Sequence, residues 1–154
     1  MKKLILLFIL FTLVVMIAVS FILRPAKQEM MGLEPVHSIN IPSVPECDVS
    51  ITTCQAVLGE YSLSFRINSV VRPLNPFSVS LEAEGWQPEQ AAVYFSMQGM
   101  EMGLNRFKLK QVADVWQGQA MLPVCTDQRS DWLATVFVSH NGQRYRSVFS
   151  FTVQ

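Results

Sequence analysis

The stretch YSLSFRI, residues 61–67, alternates Tyr61, Leu63, Phe65 and Ile67 with Ser62, Ser64 and Arg66. Successive side chains of an extended chain point to opposite faces, so the pattern predicts a strand with one buried face and one wetted face. Phe77, Val79 and Leu81 repeat it, with Ser78 and Ser80 between. Further strands are expected over 92–97, 105–112, 116–122, 132–140 and 145–153, the last with Tyr145, Phe149, Phe151 and Val153 on one side. Asn141-Gly142 separates the final two. Both residues tolerate the positive φ of a type I′ turn, so a hairpin is expected there. Pro73, Pro76 and Pro88 fall between strands, where a missing amide proton costs least. Seven or eight short strands over about 108 residues predict an all-β fold, an antiparallel immunoglobulin-like β-sandwich, over residues 47–154.

Working toward the amino terminus, residues 4–23 contain no charge and only Thr12 and Ser20 as polar interruptions. As a helix they would extend about 30 Å, the thickness of a bilayer's hydrocarbon core. A cleaved signal has a shorter apolar region, so residues 1–23 are read as a retained single transmembrane helix. Lys2 and Lys3 precede it, and Arg24 and Lys27 follow. The extra amino-terminal charge, together with cysteines that suit an oxidising compartment, favours a cytoplasmic amino terminus. The expected location is a bacterial inner membrane, with the globular domain in the periplasm. Residues 24–46 hold four prolines and no sustained period, and read as an extended linker in which His37 is an exposed residue. Lysine plus arginine and aspartate plus glutamate number 12 each, which leaves no basic field for nucleic acid.

Two groups of residues invite chemistry. The three cysteines are Cys47, Cys54 and Cys125. Proximity favours a Cys47–Cys54 disulfide, and the rival is a bridge from Cys125 to either of the others. The run MQGMEMG, residues 97–103, places Met97, Met100 and Met102 around two glycines able to turn sharply. Thioether sulfur is soft and uncharged and suits Cu(I) better than zinc, calcium or magnesium. Met97, Met100, Met102 and a free Cys125 are therefore the candidate metal ligands, with His140 a more distant one. The opposing reading is packing, since methionine fills gaps in cores and Met97 continues the apolar face of Val93 and Phe95.

Arg106 or Arg129 is expected to brace the turn, with Glu101, Asp127 and Asp131 as partners, and Trp132 to fill the core. Ser96, Ser130 and Ser139 lack a nucleophile-elbow context, and the two histidines are His37 and His140. No catalytic residues and no enzyme activity are expected.

The segments MEMGLNR (100–106), LPVC (122–125) and RSDW (129–132) resemble those of a group of proteobacterial membrane-anchored periplasmic proteins. That group shares M-x-M-G-x-N-R and L-P-x-C motifs and a following tryptophan. The plan of anchor, small β-sandwich and methionine-rich turn is also similar to FixH-like and YtkA-like domains. This second resemblance implies copper handling or respiratory oxidase assembly, with an oxidase subunit or another envelope protein as partner. The alternative expectation is a metal-free interaction or assembly module, using a sheet edge or the methionine turn as its contact.

Overall fold

A computed structural model describes residues 12, 13, 16, 38–100, 103, 105–124 and 129–153. The chain divides into two compact units, Met1–Glu34 and Pro35–Gln154. In the first, Thr12, Leu13 and Met16 are helical, and the rest of the expected anchor lies outside the described residues. Among the described residues, no helix is long and apolar enough to cross a membrane.

The second unit is all-β. Among its described residues, nine strands form: β1 (Ser38–Asn40), β2 (Cys54–Leu58), β3 (Tyr61–Ile67), β4 (Phe77–Glu84), β5 (Gln90–Ser96), β6 (Arg106–Val112), β7 (Val115–Ala120), β8 (Asp131–His140) and β9 (Gln143–Thr152). They form one sheet in the order β1-β9-β8-β5-β6-β7-β4-β3-β2. The sheet turns over within β6, where Arg106 to Leu109 pair with β5 and Lys110 to Val112 pair with β7. Curling brings the two inner faces together. Phe65 of β3 meets Phe149 of β9 at a centroid distance of 5.5 Å, and Phe77 of β4 meets Phe95 of β5 at 5.4 Å. Trp132, as expected, is core at 2% exposure. Asn141 and Gly142 have φ of 51° and 71° in the β8–β9 turn.

Two elements depart from the sequence expectation. The expected linker ends early, because Ser38–Asn40 is a strand and Ile41 is buried. The sheet is also not wholly antiparallel, since β1 runs parallel to β9. Both follow from one segment that joins the sheet's two edges. Ile41 N–H donates to Arg146 O at 2.8 Å on the β9 edge. Val44 N–H then donates to Gln55 O at 3.1 Å, and Val57 N–H to Pro42 O at 3.2 Å, on the β2 edge. The chain returns to β9 through Val49 N–H to Ser150 O at 3.1 Å, while Val49 O accepts from Ile67 N–H at 2.9 Å. The Asp48 carboxylate accepts from Thr152 N–H, and Ser43 Oγ donates to Val148 O. Ile41 and Val49 fill the seam at 1% and 0% exposure. The Cys47–Cys54 disulfide, with Cα atoms 5.8 Å apart, fastens this clasp to the start of β2. Unpaired edges template aggregation, and here one short segment satisfies both.

Candidate functional site at the loop end

The strands deliver residues 47–53, 68–76, 97–100 and 121–124 to one end of the sheet, with Gly103, Asn105, Arg129 and Ser130. The methionine turn is part of it. β5 stays paired with β8 as far as Ser96, and then Met97 and Met100 pair directly, with Met100 N–H donating to Met97 O at 3.2 Å. Gln98 and Gly99 make the turn, and Gly99 takes a φ of 75° that a side chain would resist. Directly paired residues of an antiparallel ladder share a face, so Met97 and Met100 project to the same side. That side is the core, where Met97 is 2% exposed and Met100 packs partly buried against it. Met102 and Cys125, the other two candidate ligands, lie outside the described residues, as do Glu101 and Asp127.

Arg129 braces this end. Its Nη1 donates to Gln98 O at 3.1 Å, its Nε to Asp131 Oδ1 at 2.9 Å, and its Nη2 to Asp131 Oδ2. The hydrogen bond from Arg129 holds the Asp131 carboxyl below its usual pKa, helped by the neighbouring positive charge. Asn105 closes the turn from beneath, 6% exposed, with Nδ2 donating to Phe95 O at 3.4 Å. Arg106, at the start of β6, places its Cζ 5.2 Å from the centroid of the Phe137 ring.

His140 is remote from the methionines. β8 starts beside Arg129 and ends at His140, at the opposite end of the sheet. There its ring joins Tyr61, Trp86 and Tyr145, with Trp86 4.8 Å from Tyr145, 5.1 Å from Tyr61 and 5.6 Å from His140. Trp86 Nε1 donates to Ser62 O at 3.2 Å, and His140 Nδ1 lies 2.9 Å from Gln87 O. Gly85 makes the approach possible, with φ 83°, because a Cβ there would lie 2.2 Å from the Glu60 carbonyl oxygen. The cluster is a plug of rings in mutual contact. Its sequence signal was weak, since Gly85-Trp86 follows a strand without a period of its own.

The loop end also exposes large apolar side chains. Ile51 is 75% exposed, Val70 70%, Leu74 62%, Val124 58% and Met121 45%. Ile51 and Val70 line one shallow depression of about 120 Å³ with Val71 and Thr152. Pockets that engulf small ligands run to roughly 300–1,000 Å³. Leu74 N–H donates to Leu122 O at 2.9 Å, which ties the second loop to the Met121–Val124 segment. Among the described residues, no three His, Cys, Asp or Glu side chains gather as a metal group.

No family model and no curated protein matches the chain. Similar solved structures include two of different origin. The human F-spondin reeler domain has 9% identity and a TM-score of 0.41, over 60% of this chain and 89% of that one. A DUF4785 family protein from Legionella pneumophila has 12% identity and a TM-score of 0.43, over 63% of this chain and 29% of that one. The chain thus spans under a third of the second structure. Likeness at this level transfers no residue and no role.

Proposed function

We propose that this chain is a single-pass, membrane-anchored module whose immunoglobulin-like β-sandwich stands in the periplasm and binds another envelope protein through its loop end. The exposure of Ile51, Val70 and Leu74 on adjoining loops carries the reading. Isolated surface apolar residues are ordinary, whereas several at one end of a domain mark a contact surface. The sheet-edge form of contact has little room, since the clasp engages both edges. Binding without catalysis is part of the proposal.

The test is a photo-crosslinking amino acid at position 70 or 74 of the full chain in its native membrane. One discrete adduct is expected, lost when Val70→Glu and Leu74→Glu are combined with a crosslinker at position 51. Adducts spread evenly over loop-end and control positions would end the proposal.

A second reading, cuprous copper binding, is favoured by one observation: Met97 and Met100 are cross-strand partners on one face. Two thioethers side by side suit a soft monovalent cation. The burial of Met97 works against it, because a ligand sealed in the core is reached only through Met100. In an anaerobic competition against a chromogenic Cu(I) chelator, this reading expects binding by the reduced full chain that falls at least about tenfold in Met100→Leu. Unchanged competition by that variant removes copper from the account.

A further inference from the structure

The net charge is +0, but the register segregates it. β6 reads RFKLKQV and β9 opens QRYR, each with cations at alternate positions. Alternation puts Arg106 and Lys108 on one side of β6, and Arg144 and Arg146 on one side of β9. Strands β8 and β5 lie between. Arg146 is opposite Phe137, Phe137 opposite Ala92, and Ala92 opposite Lys108. This row crosses four strands, about 14 Å at ordinary strand spacing. The next row holds Thr135, Tyr94 and Arg106. These positions alternate with the buried Val93, Phe95, Val136 and Val138, so they form the outer face.

Arg106 reaches across β5 to place Cζ 5.2 Å from the Phe137 ring centroid. The small Ala92 beneath lets it pass, and is 1% exposed although it faces outward. Burial holds Arg106 below its usual pKa, the charge of Arg144 adds to the lowering, and Tyr94 opposes it. The guanidinium stays protonated all the same. Among the described residues, the carboxylate on this face is Asp131 at its margin, already engaged by Arg129. On the outer face of the other half, Arg66 of β3 is accompanied by Glu82 and Glu84 of β4, whereas Lys110 continues the Arg106–Lys108 side of β6.

We infer that the outer face of β9, β8, β5 and β6 docks a carboxylate-rich segment of a partner protein, gripped by Arg106, Lys108, Arg144 and Arg146. Three of the four are arginines, whose planar fork meets a carboxylate with two hydrogen bonds. Arginine with aromatic residues is also the composition of protein interfaces. A lipid surface fits less well. Membrane-binding faces insert apolar side chains, and among the described residues of these four strands the strongly exposed large apolar side chain is Val112, at the far end of β6 where it pairs with β7. This surface shares no residue with the loop end, so either contact can fail without the other.

The test uses the full chain in neutral detergent and a fluorescent deca-glutamate peptide, read by anisotropy. Binding is expected at about 20 mM salt and should weaken steeply by about 150 mM. Arg144→Glu with Arg146→Glu should weaken it at least about tenfold, and the milder Lys108→Gln should weaken it measurably. Arg66→Glu with Arg72→Glu changes net charge equally away from these four strands and should have less than about a twofold effect. Retained cooperative unfolding of each variant excludes misfolding as the cause. Equal losses from the two charge-reversed pairs, or no binding by the wild type, would overturn the inference. So would displacement of the peptide by phosphatidylglycerol in mixed micelles more readily than by free glutamate peptide, which would assign the face to lipid.

Discussion

Asp131 and Arg129 show how much of the loop end rests on single residues. The pair is bidentate through one guanidinium edge, Nε and Nη2, while Nη1 holds Gln98 O, so one side chain joins the start of β8 to the methionine turn. The Asp131 carboxyl titrates below the ordinary aspartate range because Arg129 hydrogen-bonds to it. A depressed folded-state pKa contributes stability that is present above the unfolded value and is lost as pH falls through the folded one. Both side chains are largely solvated, so the contribution is small. In Arg129→Gln the Asp131 titration, followed by its carboxyl carbon shift, is expected to move up toward the ordinary range. An unmoved titration would mean that the pair does not persist in solution. At this scale the sequence was partly legible. Arg129 was readable as a brace, because an arginine two residues from an aspartate beside a turn has few better uses. Met97 was readable as core, because it continues the alternation of Val93 and Phe95. The face of Met100 was not, since it depends on where the two-residue turn falls.

Among the elements, the clasp over residues 38–50 organises the most and was the least legible. Its prolines and missing period describe a linker correctly in local terms. Its pairing is set by distant strands, with Arg146 and Ser150 on one side and Gln55 on the other. β2 escaped notice for a related reason. Its inward positions are Cys54, Ala56 and Leu58, two of them small, so the apolar alternation is faint. The longer strands, with Phe, Val and Leu inward, were read to within a few residues. The disulfide closes a short loop, worth about 2.5 kcal/mol on the chain-entropy model. Cys47→Ala with Cys54→Ala is therefore expected to lower unfolding free energy by about that much in urea denaturation. Hydrogen exchange should accelerate first at Val44 and Val57, whose amides join the clasp to β2. Loss of stability spread evenly over all strands would mean that the clasp is not a separate unit.

For the whole molecule, total charge was a poor guide to surface. Equal numbers of cations and anions exclude a uniformly basic protein, and they do not exclude a basic face. The alternation in RFKLK and RYR carries the information, and it becomes a surface only when β6 and β9 are known to flank β8 and β5. Strand adjacency of that kind is not written in any local pattern. Exposed apolar loops occupy one end, a plug of aromatic rings the other, and a cationic plane one flank. Tests at positions 70 and 108 therefore interrogate two separate regions.

The parallel pairing of β1 with β9 joins Ser38–Asn40 to residues 144–146, more than a hundred positions further along the chain. During synthesis from the amino terminus, the nascent polypeptide cannot complete its seam until the final hairpin has emerged. A product truncated before Arg144 would leave Ile41 and Val49 without their acceptors, and quality-control proteases would meet an open flap. Biogenesis of the module is thus all-or-none with respect to its carboxyl-terminal strand.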